Sequence, residues 1–194
     1  MSVFTAAAAA AADEPRQSPD VEIVPGFDAA GVYLRDVERP LVMRPERTGI
    51  YGQAGQLFLV RGADAKEPLF GVAVRHRDKK AWPRGLDFTA SGMSDPGEDE
   101  KTTTLREASE EIGLQLDPAA LRLVASWVPR DGYSSRSAVF VADWGEEPIP
   151  FNTADIEEIR WMTAAAISAA AKAGVPMKSD LRAYALSAAW PPAF

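Results

Sequence analysis

Residues 92–114 read GMSDPGEDEKTTTLREASEEIGL. Glu107, Glu110 and Glu111 stand at i, i+3 and i+4, so a helix here carries all three carboxylates on one face. Leu105, Ala108 and Ile112 recur at i, i+3 and i+7 on roughly the opposite side and give it an apolar stripe to bury. Gly113 falls where a left-handed residue ends a helix, and Glu98, Asp99 and Glu100 gather at the N-terminal end, where the helix dipole favours acid. The expectation is a short helix that packs by one face and offers acid on the other.

Spacing alone does not make that acid a metal site. Glutamates on an exposed helix face are ordinarily solvated, and like-charge neighbours cost only about 0.2–0.5 kcal/mol per pair. The complete pattern is more specific: Gly92, five residues, Glu98, seven residues, Arg106-Glu107, an apolar Ala108, one residue, Glu110-Glu111, one residue, Gly113 and apolar Leu114. It resembles the Nudix box at every defined position. With seven single-type positions at about one in fifteen each and two loosely apolar ones, chance gives such a match on the order of once in ten million.

The resemblance implies an α/β fold, an α/β/α sandwich around a mixed β-sheet, and the alternation of elements in the chain is compatible with it. It also implies a hydrolase that cleaves a phosphoanhydride bond in a small-molecule diphosphate. Such a substrate repels a nucleophile until a cation neutralises it. Hard Mg²⁺ or Mn²⁺ prefers oxygen ligands, which assigns Glu107, Glu110 and Glu111 as ligands. By resemblance, the backbone carbonyl of Ser91 joins them. Arg106 is read as the residue that orients Glu98 and Glu107, since a guanidinium can hold a carboxylate bidentately. The proton of the attacking water goes to Glu107 or Glu158, a choice the sequence leaves open.

Outward from the box, Gln56–Val60 and Leu69–Arg75 read as strands joined by a polar turn, and Leu86–Ala90 as a strand running into the box glycine. Arg75 and Lys79 stand four apart in a strongly basic segment of an acidic protein, which calls for anions nearby. This segment resembles the isopentenyl diphosphate isomerase branch of the family, where an Arg and a Lys at that spacing grip the substrate diphosphate. That branch has a catalytic Cys just before the box glycine and a metal-binding His just after it; here those places hold Ser91 and Met93. Isomerase activity is therefore disfavoured, and the intact set of box carboxylates argues against a catalytically silent nucleotide-binding module. Beyond the box, Leu121–Pro129 and Ser137–Asp143 read as an antiparallel pair. Asp155–Met162 reads as a late strand, with Glu158, then Glu157 and Asp155, as candidates for a further acid. Ala164–Ala173 is expected to be helical, as is a last helix capped at Ser179 or Asp180. Trp82, Phe88, Trp127 and Tyr133 are aromatic candidates for a stacking surface.

The 194 residues suit one core-bearing domain. They divide into an Ala/Pro-rich tail (1–20), a lead-in with one or two short strands (21–50) and the hydrolase domain (51–194). The tail's alanine run has no Lys or Arg before it and so does not read as a signal peptide. A net charge of −7 argues against nucleic acid as the main partner. The absence of cysteine fits a reducing compartment, no apolar run reaches the length of a bilayer span, and the expected location is cytoplasmic. A homodimer is an expectation of the resemblance alone.

Overall fold

The computed structural model describes residues 21–129, 133 and 135–192. The proposed tail, and most of the turn after residue 129, lie outside them. In chain order the elements are β1 (Ile23–Phe27), β2 (Tyr33–Glu38), the one-turn helices α1 (Arg39–Val42) and α2 (Pro45–Thr48), β3 (Gly52–Arg61), β4 (Leu69–Arg75), β5 (Leu86–Asp87), β6 (Ala90–Met93), α3 (Glu100–Ile112), β7 (Arg122–Trp127), β8 (Ser135–Asp143), β9 (Ile156–Thr163), α4 (Ala164–Lys172) and α5 (Ser179–Leu186). Strands β1 and β2, in the segment where the sequence predicts one or two short strands, pair as a separate antiparallel hairpin.

The larger sheet is built around β3. Its first nine residues are buried, as in a strand covered on both faces. It runs parallel to β8 from Gly52 to Val60 and changes partner on its other edge: β6 pairs with Ala54–Leu57, β4 with Val60–Arg61. Strand β4 in turn pairs with β5 and β9, and β7 closes the far edge against β8. Successive side chains of β3 enter opposite cores. Phe58 and Val60 pack with Val139, Ile167, Leu181 and Tyr184 beneath α4 and α5. Leu57 and Leu59 pack with Ala108, Ile112 and Phe140 beneath α3. The result is the α/β/α sandwich around a mixed sheet.

Three local expectations are corrected. The single strand over Leu86–Ala90 is broken in two where β3 and β4 diverge. There Thr89 spans the gap, its hydroxyl accepting from the Leu59 N–H at 3.0 Å and donating to the Gly71 carbonyl. On α3 the buried residues are Thr103, Thr104, Ala108 and Ile112, with Leu105 only half-buried. The threonines serve because the helix approaches the backbone of β3 closely: a Cβ on Gly55 would stand 2.4 Å from the Glu100 carbonyl oxygen. Finally, α5 has Lys178 as its N-cap residue and no side-chain cap. Asp180 lies inside the helix, buried, where it accepts from the Ser135 hydroxyl at 3.4 Å.

Candidate active site

Helix α3 is fixed at both ends. Asp99 caps it, accepting from the Thr102 N–H at 2.7 Å, and Gly113 closes it in the left-handed region at φ 63°. Before it, the Ser94–Asp99 loop is pinned by the Gln53 amide, which donates to Ser94 Oγ (3.0 Å) and to the Glu98 carbonyl (2.9 Å).

Arg106 stands at the centre of the acidic face. Its five N–H groups are all engaged: Nε on Glu98 Oε1 (3.0 Å), Nη1 on Glu107 Oε1 (2.7 Å) and Glu110 Oε2 (3.2 Å), Nη2 on the Met93 carbonyl (2.8 Å) and Glu98 Oε2 (3.1 Å). Burial opposes the Glu98 charge, but hydrogen bonds from Arg106, the Asp95 N–H and Thr103 outweigh it and hold the carboxyl below its ordinary range. For Glu107 burial wins over Arg106, and the adjacent Glu110 charge adds to it, so its proton affinity is raised. Gly92 makes room for that carboxylate: a Cβ there would lie 1.9 Å from Glu107 Oε1.

Glu111 points into the sheet and accepts from the Ser91 N–H at 2.9 Å. Burial, and then the charge of Asp87, push it up to about 7. Asp87 and Lys178 are residues the sequence reading missed. Asp87, on β5, is buried; its Oδ1 accepts from the Ser91 hydroxyl (3.2 Å), its Oδ2 from Arg75 Nη1 (2.8 Å). Lys178 donates to Ser91 Oγ at 2.6 Å and lies 3.6 Å from Asp87 Oδ2. A two-residue strand and a helix-start lysine carry no sequence signal of this kind. The Leu86–Met177 bridge that brings them together is a tertiary event.

The other sequence candidates are held by other partners. Arg75 reaches this cluster but is bound to Asp87 and the Ala81 carbonyl. Lys79 is paired with Asp155. Glu157 accepts from the Arg77 backbone and side chain. Glu158 is half-exposed, receives two hydrogen bonds from Arg160, and sits cross-strand from Val74, whose side chain belongs to the core beneath α4 and α5. The structure therefore does not bring Glu158 to the acidic face of α3. Phe88 packs on Phe58 in the core, Trp127 stacks on Tyr133 at 4.2 Å, and Trp82 is exposed.

Among the described residues no three acids already surround one point closely enough to hold a cation. The donor set nevertheless suits one. Glu107 Oε2, Glu110 Oε1 and Glu111 Oε1 make no hydrogen bond with the described residues, whereas the opposite oxygen of each is held by Arg106 or Ser91. Three uncommitted carboxylate oxygens on one helix face form a hard, all-oxygen set.

A family model described as NUDIX domain matches residues 48–182. A protein named Nudix hydrolase from Deinococcus radiodurans is 32% identical over 108 residues, which is 55% of this chain and 63% of that relative's own length. A crystal structure of a Deinococcus radiodurans protein superposes with TM-score 0.70 at 22% identity, covering 84% of this chain and 97% of that one. A NUDIX hydrolase structure from Alicyclobacillus acidocaldarius gives 0.55 at 17% identity, covering 69% and 89%. No described helix is long and apolar enough to cross a membrane. The chain belongs to the Nudix family.

Proposed function

We propose that the protein is a Mg²⁺- or Mn²⁺-dependent hydrolase that cleaves a phosphoanhydride bond in a small-molecule diphosphate, a nucleoside diphosphate-linked compound being the leading class. The observation that carries this is the acidic face of α3, where three glutamates each keep one oxygen uncommitted while Arg106 and Ser91 hold the other. Glu107, Glu110 and Glu111 are the ligands, with the Ser91 carbonyl, on the strand that Glu111 touches, as a further donor. The bound cation supplies charge neutralisation of the diphosphate and acidification of the attacking water.

The chain's own residues do the rest. Arg106 fixes Glu98 and Glu107 in place, so the carboxylates need little reorganisation as charge develops. Glu107, buried and of raised proton affinity, is the nearer candidate to take the proton of the attacking water. Glu158 would have to leave Arg160 and the opposite face of the sheet to do so. The isomerase reading gains no support from Ser91, whose hydroxyl is engaged with Lys178 and Asp87.

The test is product release from nucleoside triphosphates, nucleotide sugars, ADP-ribose, dinucleoside polyphosphates and prenyl diphosphates, with MgCl₂ or with EDTA. Glu111→Gln should lower Mg²⁺-dependent turnover by at least roughly 10²-fold. Equal rates in mutant and wild type would refute the assignment.

A further inference from the structure

We propose that Lys178 is the cation that grips the phosphoryl oxygens of the substrate, with Asp87 as its positioning residue; this rests on the hydrolase reading above. The cations around the site differ in what their donors already hold. A diphosphate entering a cluster that contains Glu98, Glu107, Glu110, Glu111 and Asp87 needs positive charge from the protein as well as from metal. Arg106 cannot supply it, because all five of its N–H groups are spent on carboxylates and the Met93 carbonyl. Lys79, expected from sequence to grip phosphate, is paired with Asp155. Arg75 is turned to the Asp87 carboxylate and the Ala81 carbonyl.

Lys178 differs from all three in what it holds: its one hydrogen bond within normal distance goes to a neutral hydroxyl, Ser91 Oγ, with Asp87 Oδ2 beyond it at 3.6 Å, whereas Arg106, Lys79 and Arg75 each bond a carboxylate directly. The side chain is 18% exposed, so its stem is buried and its head is held against the strand that Glu111 touches. Its charge is felt at both Glu107 and Glu111, where it opposes the effect of burial. The backbone is also fixed, since the Lys178 N–H donates to the Leu86 carbonyl at 2.8 Å, beside Asp87 in the chain. Asp87 receives Arg75 on one oxygen and Ser91 on the other, and so sets the ammonium's position without capturing it.

In the reaction the oxygen of water bonds to phosphorus and the bridging P–O bond breaks, its electron pair leaving on the departing phosphate. The proton of water goes to a carboxylate. Lys178 donates to a non-bridging oxygen of the attacked phosphoryl group.

The experiment uses the full chain and methylenediphosphonate, a diphosphate mimic that cannot be hydrolysed, titrated calorimetrically in the presence of Mg²⁺. Mn²⁺ binding is followed in parallel by electron paramagnetic resonance. Lys178→Met should weaken diphosphonate binding at least tenfold, Lys178→Arg should recover much of it, and both should bind Mn²⁺ and melt as wild type does. For any substrate that the wild type cleaves, the loss in Lys178→Met should appear in KM and kcat together, and that in Asp87→Asn chiefly in kcat. Unchanged diphosphonate affinity in Lys178→Met overturns the proposal. So does failure of wild type to bind the diphosphonate at millimolar concentration, or loss of Mn²⁺ binding or of folding in both Lys178 variants. Glu111→Gln separates the two readings: if it binds Mn²⁺ and turns over as wild type does, the hydrolase assignment itself fails, whatever Lys178 does.

Discussion

Glu111→Gln should stabilise the protein in EDTA at neutral and alkaline pH, and the size of the gain follows from the burial of that carboxylate. Burial and the Asp87 charge carry Glu111 from its ordinary 4.5 to about 7. At about 1.36 kcal/mol for each tenfold change in proton affinity, this is a penalty on the order of 3 kcal/mol for ionising it in the folded chain. Below pH 4.5 the carboxyl is protonated both folded and unfolded, and its protonated form in the fold meets no penalty. Between 4.5 and 7 the unfolded chain gives up the proton while the folded chain keeps it, so stability falls as pH rises; above 7 the deficit is constant. Glutamine keeps an acceptor for the Ser91 N–H, bonded at 2.9 Å, and cannot ionise. Urea denaturation in EDTA should therefore show the mutant gaining little at pH 4.5 and about 2–3 kcal/mol at pH 8. Saturating Mg²⁺ should narrow the difference by stabilising the wild type alone. A mutant no more stable than wild type at pH 8, or a gain that shrinks as pH rises, would refute the account of Glu111 as a carboxylate held at an energetic cost.

Two further substitutions probe the frame around the site. Gly55→Ala places a Cβ 2.4 Å from the Glu100 carbonyl and 2.8 Å from the Thr104 backbone nitrogen, neither of which can yield without moving α3. A loss of about 3 kcal/mol in urea denaturation is expected, larger than ordinary overpacking by one methyl group. Gln56→Met should do the opposite. The Gln56 amide is fully buried and finds no hydrogen-bond partner among the described residues, so an apolar side chain of similar shape should add about 1–2 kcal/mol by the same measurement.

How much of this was legible in the chain depends on how far apart the cooperating residues stand. The acidic face of α3 is a local object: helical geometry puts Glu107, Glu110 and Glu111 together whatever the rest of the fold does. Strand β4 was legible over its full length, Leu69–Arg75, because its apolar run is bounded by turn residues. The break between β5 and β6 was not, since it arises from β3 exchanging partners and from Thr89 bridging the divergence. Lys79 reads as phosphate-facing from its basic surroundings, but basic neighbours do not show which acid will claim a cation. Asp155, 76 residues away, does so. Lys178 reaches Ser91 across 87 residues, and no periodicity in either segment announces the contact.

The same distinction orders the chemistry. A helix can present carboxylates by itself, but clustered acid in a low-dielectric setting is unstable without cations placed from elsewhere, and the raised proton affinities of Glu107 and Glu111 record that cost. Arg106 answers it from within the motif and is exhausted in doing so, serving five acceptors with five donors. Compensation for the deeper carboxylates therefore has to come from outside the motif, and the fold meets that need by starting α5 against β5, where Lys178 and Asp87 become neighbours. If substrate recognition depends on that second, non-local group, chains with the same box and a different residue at the start of this helix should keep the metal chemistry and differ in what they hold.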